Sequence, residues 1–580
     1  MSEKDNTGEL SEPPMNGNKT RPRVLLIGFD GATLDLIQPW VQAGLLPNFA
    51  RLMTEGAHGP LESTIPPVTP AAWSTMATGM NQGKHGVYDF FARREGSYET
   101  YLVNTRDRHG DTIWSLLGEA GYRVTVFDVP ATYPPDPVNG QMVSGLLTPS
   151  QATDASYPVD LLAELKRAVP GFDFHPPGFF SKGQEVEFVQ SVLDWNKMTL
   201  DATEFLMKRD AWDFLFTVFI GTDIISHWMW REMATQGASV QSTDPAVREK
   251  LAHAIESVYR QADQILGRML ELAGEDTYVI VVSDHGFGPL DYYLHLNAWL
   301  AEYGYLQFKR TPGIMLKYLG YRLGFTPLNI LEMLRKLHLG GQVQETAGKH
   351  NDFLRKMIKR VFLSLDDVDW SRTTVYTRGY AGPLFVNMKG REPEGIVEPG
   401  AESEAVLQKL ERDVRSLKHP LTGEPFVSHV LRREDVYSGP YLKYAPDFGF
   451  GMNDLSIQPF GVHDFASNRW FEPTPDRTGT HRMNGIFFLH GPGVQPGARV
   501  EGTGLIDIAP TVLALMGVPI PTVMDGHVVS TVLTNELRDK LKITFSEQTQ
   551  SAAAEQGGPT LGEEDEKIIR ERLEALGYFG

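Results

Sequence analysis

The sequence has no cysteine. Disulfides, thiolate-bound zinc and a cysteine nucleophile are thereby excluded, and any metal must be held by nitrogen and oxygen donors. A surplus of positive charge is also missing: 73 acidic residues outweigh 54 Lys and Arg, for a net charge of −19. Such a chain has no general electrostatic footprint for nucleic acid or an anionic membrane. A phosphate-handling site within it needs local positive charge, which metal ions can supply. Long apolar runs are absent too. Stretches such as Phe214 to Ile220 are far too short to span a bilayer. The N-terminal residues, polar with Gly and Pro, lack the apolar core of a signal peptide. Together these absences make the cytoplasm the expected compartment. No internal repeat is found, and oligomeric state is not legible.

What is present is a chain of 580 residues, 41% hydrophobic. That is enough for one large domain with insertions, or for two to three domains. Residues 1–20 read as a disordered tail. Arg23 to Asp30 is a continuous apolar run ending in an acid, the pattern of a buried parallel strand with a carboxylate at its carboxyl end. Ligand crevices of open α/β sheets lie outside such ends. A helix to about Val41, a short strand at Ala57–Glu62, a helix at Thr112–Ala120 and a strand at Tyr122–Asp128 continue the alternation. Two further buried strands follow, Trp212–Ile220 and Tyr278–His285, separated by a long helix at about Ala246–Ala273. The expected fold is α/β, a doubly wound and mostly parallel sheet. Its first part is 21–300 and its second 461–535. Between them, 301–460 reads as an inserted cap, with Gly313 to Val361 mostly helical and basic. Residues 536–580 read as a charged tail with a short helix at Glu563–Leu576.

Thr69-Pro-Ala-Ala-Trp-Ser-Thr-Met-Ala-Thr-Gly79 opens a helix, with Thr69 read as its N-cap and Pro70 as its first helical residue. A hydroxyl there sits among unpaired backbone donors, where a phosphate is well received. Alone, this is the signature of a cap. Elsewhere, three strand ends carry metal-type ligands: Asp30, then Asp223 with His227, then Asp284 with His285. His481 adds a fourth segment. Each has an ordinary structural use when taken singly. Jointly they are six carboxylate and imidazole donors, enough with Thr69 for two adjacent divalent ions, zinc or alternatively manganese. Two metals about 4 Å apart can clamp an in-line phosphoryl displacement, and coordination would activate the Thr69 hydroxyl as a nucleophile.

Gly28-Phe-Asp-Gly31, Thr69 with Thr78-Gly79, Gly83-Lys-His-Gly86, Val282-Ser-Asp-His-Gly286 and Gly479-Thr-His-Arg482 together resemble the alkaline phosphatase superfamily. The chain is most similar to the type I phosphodiesterase/nucleotide pyrophosphatase branch and to the prokaryotic predicted phosphohydrolase or phosphomutase group. The resemblance runs from about 23 to 535, outside 300–460. It implies one metal on Asp223, His227 and His481, and another on Asp30, Asp284 and His285, with Thr69 facing both or the second. It implies a hydrolase of small-molecule phosphoesters, a phosphodiesterase or phosphatase working through a phospho-threonine intermediate. The sequence departs from the nucleotide pyrophosphatase branch in one respect. His85-Gly-Val-Tyr-Asp-Phe90 contains no Asn to hold the phosphoryl oxygen. Lys84, His85 and Arg482 are the remaining candidates for that task. His463-Asp464 is a further possible ligand pair, and Trp73 a possible substrate or lid contact. A metal-dependent phosphomutase or phosphotransferase of the same fold, and a non-catalytic metal-binding scaffold, are the alternative functions.

Overall fold

Three apolar runs form the middle of a ten-stranded sheet. They are β1 (Arg23–Phe29), β6 (Phe214–Phe219) and β7 (Thr277–Val282), and nearly every residue in them is buried. Buried on both faces, they have the Val/Ile/Leu/Phe content of parallel strands rather than an alternating pattern. The computed structural model describes residues 21–174, 180–239, 242–336, 360–453, 455–461, 464–474, 476–547 and 561–577. The expected tail at 1–20 lies outside them.

The other members of this sheet are β2 (Ala57–Glu62), β3 (Val124–Val129), β4 (Gly140–Ser144), β5 (Ser156–Tyr157), β8 (Asn484–His490), β9 (Ala498–Arg499) and β10 (Thr503–Gly504). The strand order is β9-β2-β8-β7-β1-β6-β3-β4-β5, with β10 alongside β2. The pairs β7–β1, β1–β6, β6–β3 and β3–β4 are parallel. Only β8 and β5 run against their neighbours. Helices pack in two groups. Pro47–Glu55, Glu185–Arg209 and Ala254–Ala273 belong to one; α1 (Thr69–Thr78), Ile113–Glu119 and Ile508–Leu515 belong to the other. The doubly wound, mostly parallel sheet expected from the sequence is present.

Some local readings change. The long helix expected at 246–273 is two, Pro245–Ala252 and Ala254–Ala273, because His253 leaves helical geometry at φ −100° and ψ 11°. The loop expected at Asn81–Gly86 contains a single helical turn, Gln82–His85, in which the Gly83 N–H is met by the Asn81 side chain.

A second hydrophobic cluster, from Leu294 to Phe465, occupies most of the region read as a cap. It lies under a four-stranded antiparallel sheet (Val375–Thr377, Leu384–Val386, Phe448–Met452, Val427–Arg432) and the helix Ala401–Arg415. A three-stranded sheet, with Tyr292–His295 between Ile457–Phe460 and Phe471–Pro473, extends this body beyond the expected bounds on both sides. The pairing of Tyr292 with Pro473 fastens its two ends together.

Within the region read as a charged tail, helix α4 (Glu563–Leu576) buries Ile569, Leu573 and Leu576 in the main core. It is amphipathic, and its apolar face is a structural part of the fold. Leu573→Ala is therefore expected to cost about 2–5 kcal/mol, read as a lowered unfolding midpoint in thermal or denaturant melts. An unchanged midpoint would mean that the helix contributes nothing to the core.

Candidate metal centre

The sheet order places β7, β1 and β6 side by side, so three chain segments leave the sheet at one point. Asp30 follows β1, Asp284 and His285 follow β7, and α2 (Gly221–Ala234) opens directly after β6 with Asp223 and His227 one turn apart. All five are fully buried. His481 arrives on a strand, Gly479–Arg482, that pairs antiparallel with Gly286–Pro289. Gly31 makes the approach of α2 possible. It has φ +66°, and a Cβ there would lie 3.1 Å from the Asp223 backbone. Its N–H donates to Asp284 Oδ1 at 3.2 Å, while Thr222 Oγ1 donates to the Asp30 carbonyl at 2.5 Å.

Nδ1 of His227, His285 and His481 lies against a backbone carbonyl, of Gly479 at 3.1 Å, Gly286 at 3.0 Å and Pro67 at 2.9 Å respectively, and Nδ1 of His227 also faces the donating Nε–H of Arg477 at 3.0 Å. A donating Nδ1–H leaves the Nε2 lone pair turned toward the carboxylates, the orientation of a metal-ligating histidine. Arg477 Nε shares the Gly479 carbonyl at 3.2 Å.

The Nε2 atoms converge. Asp223 Oδ1 is 3.3 Å from His481 Nε2, 3.4 Å from His227 Nε2 and 3.9 Å from His285 Nε2. His285 Nε2 is also 3.3 Å from Asp284 Oδ2 and 3.6 Å from Asp30 Oδ1. Asp223, His285 and His481 form one triad of donors within 4.8 Å of one another, and Asp30, Asp284 and His285 a second. His285 is thus common to both. The assignment implied by resemblance gave it to one ion only and placed His227 in the first set; His227 Nε2 lies 3.4 Å from Asp223 Oδ1 and 3.3 Å from His481 Nε2, so those three donors converge as well.

Four carboxylate oxygens here, Asp30 Oδ1, both of Asp223 and Asp284 Oδ2, are buried without a hydrogen-bond partner. Buried polar atoms are rarely left so, and a divalent cation is the partner this donor set fits. The protonation pattern agrees. Burial, then the neighbouring carboxylates, push Asp30 well above the usual carboxyl range, and burial and Asp223 do the same to Asp284. Burial also works on Asp223, but His227 and His481 overcome it and hold that carboxyl well below the range. Burial, and then Arg477, push His227 down to about 4, so its imidazole is neutral at pH 7.

Thr69 is not the N-cap of α1. Val68 takes that place, since the Ala72 N–H donates to the Val68 carbonyl at 2.9 Å, and Pro70 is second in the helix. The Thr69 hydroxyl is consequently not spent on capping. It lies buried, 3.4 Å from His285 Nε2, at the amino end of the helix. Trp73 packs inside the main core rather than against a lid, and its Nε1–H donates to Asp30 Oδ2 at 3.0 Å. It therefore orients the Asp30 carboxyl.

The candidate phosphoryl-oxygen donors are occupied elsewhere. Lys84 Nζ is 2.6 Å from Asp525 Oδ1 and 2.8 Å from the Val523 carbonyl. Arg482 donates to the carbonyls of Thr480, His481 and Pro289. His85 lies fully buried against Thr75 Oγ1 at 2.8 Å, and its Nδ1 accepts the Val87 N–H at 3.2 Å. His463 lies outside the described residues; Asp464 accepts the Leu365 N–H at 3.1 Å.

Two contributors gave no sequence signal. Arg477 is buried beside His227 and bonded to the Tyr380 hydroxyl. Asp89, where an Asn was sought nearby, accepts the Tyr380 N–H at 2.9 Å, and burial pushes its carboxyl up to about 7. It ties the segment carrying Tyr380 to the core.

The family model described as type I phosphodiesterase / nucleotide pyrophosphatase matches residues 24–449. Among solved structures, phosphonoacetate hydrolase from Sinorhizobium meliloti 1021 is similar at 14% identity and a TM-score of 0.48, over 84% of this chain and 94% of that one. Murine ectonucleotide pyrophosphatase / phosphodiesterase 5 is similar at 13% identity and a TM-score of 0.45, over 88% and 100%. No curated protein matches the sequence.

The environment of His85 generates an acid-stability prediction. Burial, with Arg108 and His109 nearby, pushes its pKa from 6.5 down to about 3. As pH falls through that window, the unfolded chain takes up a proton that folded His85 refuses, so stability falls by up to about 1.4 kcal/mol per pH unit from this group. Denaturant melts at stepped pH are expected to show a shallower acid loss in His85→Gln than in the parent chain; equal slopes would contradict the assignment.

Proposed function

Because the chain belongs to the type I phosphodiesterase/nucleotide pyrophosphatase family, we propose that it is a two-metal phosphoester hydrolase with Thr69 as nucleophile. The observation that carries this reading is the position of the Thr69 hydroxyl. It is uncommitted to capping and sits beside His285 Nε2, next to buried carboxylate oxygens that have no partner.

Asp30, Asp223, His227, Asp284, His285 and His481 would hold the ions, zinc or manganese. When bound, two such ions supply Lewis-acid stabilisation of charge developing on the attacking and departing oxygens. The Thr69 hydroxyl, deprotonated, attacks phosphorus in line; the bond to the leaving alkoxide breaks and a phospho-threonine forms. Water then attacks the same phosphorus, releasing phosphate or a phosphomonoester and restoring Thr69. The amino end of α1 contributes backbone N–H groups and the positive end of a helix dipole near the transferring group. The Nδ1–H bonds of His285 to Gly286 and of His481 to Pro67 keep those imidazoles oriented through the cycle, and Arg477 and the Gly479 carbonyl flank Nδ1 of His227. Trp73 does the same for Asp30. The substrate on this reading is a small-molecule phosphoester. Among the described residues no helix is long and apolar enough to cross a membrane.

Hydrolysis of bis-p-nitrophenyl phosphate and of p-nitrophenyl phosphate, each with added zinc or manganese, tests the reading. Turnover of one of them is expected, falling by at least about a thousandfold in Thr69→Ala while metal content by elemental analysis stays at the parent level. Asp284→Ala is expected to lose metal and activity together. Full activity in Thr69→Ala would refute the nucleophile, and undiminished metal in Asp284→Ala the ligand set.

A further inference from the structure

Among the described residues, several exposed large apolar side chains cluster on one face. Helix α3 (Pro312–Arg322) and the turn after it carry Met315, Leu316, Leu319, Leu323 and Phe325, exposed by 47% to 79%. Leu316, Leu319, Leu323 and Phe325 line one open groove together with Val361, itself 44% exposed. The opposite side of the helix is already occupied. Tyr321 is buried in the second core and Tyr318 packs against it. A helix apolar on both sides is usually covered on both, and a contiguous exposed apolar face marks an interaction site.

The charge around this face is opposite to that of the whole. Residues 309–330, 360 and 361 contain five Lys and Arg and no Asp or Glu, in a chain whose net charge is −19. Arg310, Arg322 and Arg360 are exposed beside the groove. Two lysines are engaged inward, Lys317 with Asp367 at 3.0 Å and Lys309 with the Asp366 carbonyl at 2.9 Å.

We propose that this face docks on the surface of an anionic phospholipid bilayer. The leucines, methionine and phenylalanine enter the boundary between headgroups and acyl chains, and the guanidinium groups stand at the level of the lipid phosphates. Leu- and Phe-rich helices with basic flanks bind membranes in this way, by buried apolar area added to attraction for anionic lipid. A second copy of the chain fits less well. A two-fold interface sets a patch against itself, and here it would face one basic rim with another. Nucleic acid fits the charge but leaves the apolar centre uncovered.

The intact chain is to be sedimented with vesicles of phosphatidylcholine mixed with phosphatidylglycerol, and with vesicles of phosphatidylcholine alone. Binding is expected to the mixed vesicles only and to fall as salt is raised. The triple variant Leu316→Glu/Leu319→Glu/Leu323→Glu is expected to bind at least about tenfold more weakly, and the pair Arg310→Glu/Arg322→Glu to lose the preference for anionic lipid. Both should keep the parent melting temperature and the parent turnover of a small soluble phosphoester, since none of these residues lies at the metal centre. No binding of the parent chain to mixed vesicles would overturn the proposal. So would undiminished binding by the triple variant, or a parent dimer in light scattering that the triple variant dissociates.

Discussion

Three carboxyl groups buried within a few ångströms of one another cannot all be ionised unless positive charge lies between them. Asp30, Asp223 and Asp284 are in this position, and much of the architecture serves to keep them there. The parallel order of β7, β1 and β6 aligns their carboxyl ends. Gly31 lets α2 come close, and the strand pair carrying His481 closes the remaining side. Without a cation, protons have to take its place, and the raised carboxyls of Asp30 and Asp284 are the consequence. His227 and His285 are meanwhile kept neutral by burial. Such an arrangement is costly in a bare protein and suitable in a loaded one, which is why its completeness is informative.

Much of this was legible in the sequence, for definite reasons. Buried parallel strands are continuous apolar runs, so β1, β6 and β7 and the ligands at their ends stand out. The amphipathic pattern of 563–576 was visible too, although its charged residues disguised how deeply its apolar face is buried. What escaped depends on contacts between distant residues. Arg477 reaches His227 across 250 positions, and Asp89 meets Tyr380 across 291; no local spacing encodes either. The start of α1 was misread by one residue because Thr-Pro has the chemistry of a cap. The backbone bond from Ala72 to Val68 decides the matter differently. Lys84, His85 and Arg482 had suitable chemistry for an anion, but Asp525, Thr75 and a set of backbone carbonyls already use it.

The two hydrophobic clusters divide the labour. The main one holds the sheet and the metal-type residues rigid. The other, over Leu294–Phe465, forms a separate body whose ends are joined by the strand pairing near Tyr292 and Pro473. The second stretch is nevertheless tied to the candidate centre through Tyr380, which meets Arg477 beside His227. The basic, apolar-faced helix Pro312–Arg322 belongs to this second body.

The placement of β8 has a topological consequence. Asn484–His490 comes from the far side of the second body, yet it is hydrogen-bonded between β2 and β7, which both precede that body. The strand pair carrying His481 likewise joins residues from either side of it. The sheet therefore acts as a non-covalent clasp around the inserted body. A chain severed within 337–359 would leave two fragments, each bearing part of the ligand set and each missing strands that the other holds. The molecule has the layout of a self-complementing pair, in which reassembly of the fragments and reconstitution of the centre would be one event.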